Sequence, residues 1–142
     1  MSDNNFHGKH SNVTELVVNA FYKVQRKLGA GFHHKVYEDS LATELRKLGF
    51  HVHQQQQLNV FRDGEVVGEH IADLVVNDVV MIDVNAGQVI PAGQLADEHE
   101  MRFVNRLKST PVEVGLVLDF SPSAEIQHRV FENDLKDECV PK

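Results

Sequence analysis

The stretch ADLVVNDVVMIDVNAG, Ala72 to Gly87, sets three polar residues in otherwise apolar company: Asp73, Asp83 and Asn85. Carboxylates gathered in strands repel one another when ionised and dry, and a cation or water relieves them. Their hard oxygens suit Mg²⁺ or Mn²⁺. Strand side chains alternate faces, so Asp83 and Asn85 point the same way. The turn between the strands decides whether Asp73 joins them. A two-residue turn at Asn77-Asp78 pairs Val76 with Val79 and faces Asp73 away from Asp83. A three-residue turn, Val76 to Asp78, pairs Val75 with Val79 and sets Asp73 diagonal to Asp83 on one face. That turn needs a left-handed residue, which Asn or Asp tolerates. Convergence of the three residues is therefore a prediction about register. The plain alternative is two hydrated aspartates near strand ends.

Other elements must hold this hairpin in place. Val17, Phe21, Val24 and Leu28 recur at helical spacing and form one apolar stripe. Gly29 and Gly31 end that helix. Tyr37, Leu41, Leu45 and Leu48 predict a second helix, about Lys35 to Leu48, closed by Gly49. On this stripe Tyr37 is most simply a core residue with a satisfied hydroxyl. The stretch HVHQQQQLNVF leads into a strand carrying Leu58 and Val60. Asp63-Gly64 signals a hairpin, and the next strand runs from Val66 to Val75 with a kink at Gly68. The chain turns at Asn77-Asp78 and returns from Val79 to Asn85. A third helix is expected from about Gln94 to Lys108, then a buried strand from Val112 to Phe120 and a short edge strand, EIQHRVF. This order predicts an α/β sandwich with a mixed β-sheet flanked by helices. The third helix would then carry a crossover into the later strand, right-handed if parallel.

With 142 residues the chain has room for one compact domain. We expect a flexible arm over 1–11, one domain over 12–132 and a polar tail over 133–142. No apolar run approaches the roughly 20 residues that cross a bilayer, and MSDNNFHGKH has no signal-peptide character. The single cysteine, Cys139, fits a reducing cytoplasm. A formal net charge of -7 argues against a broad basic surface for phosphates, though not against a small nucleic-acid site. Nine histidines can make charge and assembly respond to pH near 6, although most are expected simply on the surface.

In three ordered segments the chain resembles the GxxExxY proteins, small bacterial members of the PD-(D/E)XK nuclease superfamily. KLGAGFHHKVYEDSLATELRKLGF is similar to the family's opening, GEHIADLVVNDVVMIDVNA to its metal-site hairpin, and HEMRFVNRLKSTPVEVGLVLDF to its later helix and strand. The resemblance covers about Thr14 to Phe131 and implies a PD-(D/E)XK nuclease-like fold. It implies that Asp73 and Asp83 are the metal-holding acids. The family's signature departs at two positions: His34 stands where glutamate is expected, and Asn85 replaces the lysine of the acid-x-lysine motif. Arg102 also stands where glutamine is usual, after a fitting His99-Glu100.

In such nucleases the metal stabilises charge on the phosphate and activates a water, and the lysine helps orient that water. Asn85 carries no charge, and losing such a contributor costs about 10²–10³ in rate. His34 offers nitrogen in place of a hard anionic oxygen. We therefore expect a catalytically degenerate nuclease-fold protein, non-enzymatic, with a binding or self-assembling structural role and no required cofactor. Its partner would be further copies of the chain, in a homo-oligomer or closed symmetric assembly, with nucleic acid disfavoured by the acidic charge and no membrane. The competing expectation is an active Mg²⁺- or Mn²⁺-dependent nuclease on DNA or RNA, and a third is a metal or small-ligand module in the same pocket. Lys35 can move into the site, or His34 can join Asp73 and Asp83 around Mn²⁺, Zn²⁺ or another transition metal. As an alternative, His34 is a histidine hydrogen-bonded to either aspartate. His33 is expected on the surface. Arg102 and Arg106 share a helix face and can touch phosphate, but such pairs are more often solvated or salt-bridged.

Overall fold

A computed structural model describes residues 10–86, 107, 110–121 and 124–130. The apolar stripe of the first helix becomes α1, Ser11–Leu28, which buries Val17, Phe21 and Val24. It stops where Gly29 enters the left-handed region, φ 69°, and returns its N–H to the carbonyl of Gln25. A short connection leads to α2, His34–Lys47, whose buried face holds Tyr37, Glu38, Leu41 and Leu45. His33 is the N-cap of α2: its ring Nδ1 accepts from the Lys35 N–H at 3.2 Å.

Five strands follow: β1 Val52–Arg62, β2 Glu65–Val76, β3 Val80–Asn85, β4 Val114–Asp119 and β5 Glu125–Val130. They lie side by side in chain order. The first three form an antiparallel meander, β3 and β4 are parallel, and β5 returns antiparallel at the edge. The expected mixed sheet is thus present, and the glutamine run belongs inside β1. At Asp63-Gly64 both residues are left-handed, φ 53° and 78°, as the hairpin signal requires. The expected kink at Gly68 is a bulge: Val60 pairs with Gly68 and Phe61 with Val66, leaving Val67 extra.

The sheet separates two apolar clusters. On one side Leu74, Val76, Val80, Ile82, Val84, Val114, Leu116 and Leu118 pack with α1 and α2. The other cluster holds Ala72, Val75, Met81, Leu107 and Val112. Of the expected third helix only Leu107 is described, as helical and buried; the rest of that helix, with His99, Glu100, Arg102 and Arg106, lies outside the described residues. So do most of the N-terminal arm, the 133–142 tail and Cys139.

Both turn geometries weighed from sequence are corrected. The ladder pairs Val76 with Val80, Val75 with Met81 and Leu74 with Ile82, so the loop is Asn77-Asp78-Val79. Asn77 and Asp78 are both left-handed, φ 52° and 59°. Asn77 is also fixed from outside the hairpin: its N–H donates to the His51 carbonyl, and its side-chain oxygen accepts the His51 N–H. That tertiary anchor moves the turn one residue beyond what local turn preferences indicate.

Candidate metal centre

The observed register, continued by one pair, sets Asp73 level with Asp83. The ladder ends before it reaches them. The Asp73 carboxylate takes the Val84 N–H through Oδ2 at 2.8 Å, filling the place of a backbone acceptor where the strands part.

Regular alternation fails at the same point. Ala72 packs in the Met81 cluster although Leu74, two residues on, packs with the helices. On the neighbouring strand the pairing steps from Gln54–Leu74 to Gln56–Ala72, skipping Gln55 and Asp73. Gln55 has φ 53°, a left-handed backbone inside a strand. The two interruptions stand opposite each other. Their effect is visible in the side chains: consecutive residues Gln54 and Gln55 both reach one carboxylate on α2, which an alternating strand forbids.

That carboxylate is Glu38, fully buried. Its Oε1 accepts from Gln55 Nε2 at 2.7 Å and lies 3.4 Å from His34 Nε2. Its Oε2 accepts from Gln54 Nε2 at 2.9 Å and Lys35 Nζ at 3.3 Å. Asp73 Oδ1 completes the group, 3.4 Å from His34 Nε2 and 3.2 Å from Gln55 Nε2. Buried charge persists when it is paired and hydrogen-bonded, and Glu38 is both. Lys35 does approach the site, but from its rim, where it also binds Asp39 at 3.0 Å. Asp39, and then Glu38, hold the Lys35 ammonium above the ordinary lysine range. Gln54 first, and Lys35 second, keep the Asp39 carboxyl below its usual range.

Among the described residues, His34, Glu38 and Asp73 each offer one ligand atom, all within 4.8 Å of one another. Two carboxylate oxygens and an imidazole nitrogen are a fitting donor set for a divalent cation. Asp83 and Asn85 stand elsewhere. Asp83 pairs in register with Val117 and shares the face of Met81, not that of Ile82 and Val84. Its Oδ1 lies 3.9 Å from His70 Nε2. Asn85 is registered beside Asp119, and its carbonyl accepts the Phe120 N–H. The structure therefore places His34 beside Asp73 but not beside Asp83, and adds Glu38 and Gln55, which sequence reasoning passed over. Glu38 was signalled by its position four residues after His34 and one after Tyr37, where an acid falls on the helix's inner side.

Tyr37 is core, as its stripe indicates. Its ring stacks on Phe120, centroids 4.5 Å apart. Its hydroxyl donates to the Gly29 carbonyl at 2.6 Å and accepts the Phe32 N–H at 3.2 Å. These bonds tie down the connection that delivers His33 and His34 to the start of α2.

Compared with known families, the chain matches the PD-(D/E)XK nuclease superfamily over residues 11–130. No curated protein and no solved structure matches it.

Proposed function

The chain belongs to the PD-(D/E)XK nuclease superfamily, and we propose that it is a GxxExxY-type member whose cleavage centre is degenerate. The observation that carries this reading is the division of the acids. Asp73 is committed to His34, Gln55 and the Val84 amide, whereas Asp83 lies on the other face beside His70. Asn85 supplies no cation where the family's lysine would. The ammonium of Lys35 is taken up by Glu38 and Asp39. A centre with no free cation among the described residues to balance a developing phosphate charge loses about 10²–10³ in rate from that deficit alone. The protein then serves in the cytoplasm as a binding or self-assembling structural unit.

Self-association draws support from the sheet's borders. β5 lies at the edge of the sheet among the described residues, and Val66, Val67 and Ile71 of β2, beside the opposite outer strand β1, are exposed apolar residues. Sedimentation at micromolar concentration should find a discrete oligomer. A monomer would remove the structural half of the reading.

The enzymatic half is tested by incubating single-stranded DNA, duplex DNA and RNA with Mg²⁺ or Mn²⁺, with Asp83→Ala as control. We expect no cleavage above the control. Metal-dependent cleavage that Asp83→Ala abolishes would overturn the proposal. It would establish the second reading, an active nuclease, which the match across the whole fold and the retention of both acids favour.

A further inference from the structure

The structure holds a carboxylate–histidine group whose inner and outer atoms are sharply divided. Glu38 turns Oε1 toward His34 and anchors Oε2 on Gln54 and Lys35. Asp73 turns Oδ1 toward His34 and anchors Oδ2 on the Val84 N–H. Each carboxylate is thus held with a single oxygen presented inward, the arrangement of a one-oxygen metal ligand whose outer partners fix its orientation. Two carboxylates, one of them also bound by the Lys35 ammonium, leave negative charge for a dication to neutralise.

The spacing discriminates between cations. Bonds of about 2.0–2.2 Å around a tetrahedral centre set neighbouring donors about 3.3–3.6 Å apart. Octahedral Mg²⁺, with bonds of about 2.0–2.1 Å, sets adjacent donors about 2.9 Å apart. Both separations from His34 Nε2 are 3.4 Å, nearer the tetrahedral spacing, and all three ligand atoms lie within 4.8 Å of one another. The imidazole nitrogen pulls the same way, since it suits Zn²⁺ and its neighbours while Mg²⁺ selects oxygen.

We propose that His34, Glu38 and Asp73 form a tetrahedral site for a first-row transition dication such as Zn²⁺ or Co²⁺, with Mg²⁺ excluded. Gln55 provides the fourth position. Its amide already spans the two inward oxygens, 2.7 Å from Glu38 and 3.2 Å from Asp73. Half a turn of that amide exchanges its donor NH₂ for its acceptor oxygen. The proposal deepens the reading of a decayed cleavage centre by naming the cation that centre holds. Its test reads the metal and not cleavage, so each can fail alone.

The experiment titrates the metal-free protein with Co²⁺ and follows the visible absorption that distinguishes tetrahedral from octahedral coordination. Zn²⁺ competition and isothermal calorimetry with Mg²⁺ run in parallel. We expect an intense tetrahedral band at one equivalent, bleached by Zn²⁺ and untouched by excess Mg²⁺. His34→Ala should weaken Co²⁺ binding by more than about 100-fold, beyond what loss of an outer-shell partner costs. His34→Glu should lose the band and gain Mg²⁺ binding. Asp83→Ala should change nothing. His34 is partly exposed, so its variants keep the core, and thermal unfolding of each confirms this. Four results overturn the proposal: no binding; octahedral Co²⁺ only; a band that survives His34→Ala, which places the ion on other histidines; or a band lost in Asp83→Ala, which moves the centre across the sheet.

Discussion

Replacing Tyr37 by phenylalanine removes one oxygen and leaves the ring on Phe120. The hydroxyl's two hydrogen bonds then break. The bond to the Gly29 carbonyl is short, 2.6 Å, and contributes about 1–1.5 kcal/mol; the one from the Phe32 N–H, at 3.2 Å, contributes about 0.5–1 kcal/mol. Phe32 is exposed and Gly29 half-buried, so water can reach both orphaned groups and the full penalty of a dry unpaired amide does not apply. The expected loss is about 1.5–2.5 kcal/mol. With a urea m-value of about 2 kcal/mol/M for a small domain, the midpoint should fall by about 1 M at unchanged slope. Equilibrium urea unfolding followed by circular dichroism measures it. A loss under about 0.5 kcal/mol would refute the claim that this hydroxyl fastens the α1–α2 connection. A loss above about 4 kcal/mol would mean that the ring itself had left its stack.

Further predictions concern the core and pH. Phe120 contacts Tyr37 and also Phe21, centroids 4.7 Å apart, so Phe120→Ala should cost about 3–5 kcal/mol in thermal or denaturant unfolding. Burial, and secondarily Arg129, lower the pKa of His128 in the fold. The unfolded chain therefore binds more protons between the folded pKa and the unfolded value of about 6.5. That contribution to stability is full above about 6.5 and is lost as pH falls through the folded pKa. Stability measured against pH should decline across this window in the native chain and decline less in His128→Gln.

Much of this fold is written in periodicity. The stripe from Val17 to Leu28 and that from Tyr37 to Leu45 each name a helix face, and Asp63-Gly64 names its turn. The metal centre is harder to read, for a physical reason. Glu38 falls beside the apolar stripe of α2, so a count of hydrophobic spacing passes it by. Gln55 sits in a run of four glutamines with no pattern of its own. The hairpin turn depends on Asn77 bonding to His51, twenty-six positions earlier, and no local preference encodes that. Asp73 could be named from its residue type and setting, and His34 from the family resemblance. Their meeting requires the alternation of two strands to fail at one level, which is a property of the pair and of neither strand.

The opposed interruptions at Gln55 and Asp73 bear on how the sheet assembles. A strand reading HVHQQQQ has little apolar alternation to tell one alignment from the next, and such strands are prone to slip. Here the alignment is keyed. If β1 moved by one residue against β2, the left-handed Gln55 would meet a regular stretch and the break at Asp73 would meet an intact strand. The extra Val67 near the far end of the same hairpin is a second key. Two notches at separate levels admit one seating, as a vernier has one coincidence. The irregular level that gathers the carboxylates thereby also selects the alignment of the meander, and a substitution that straightened Gln55 would loosen the register along with the site.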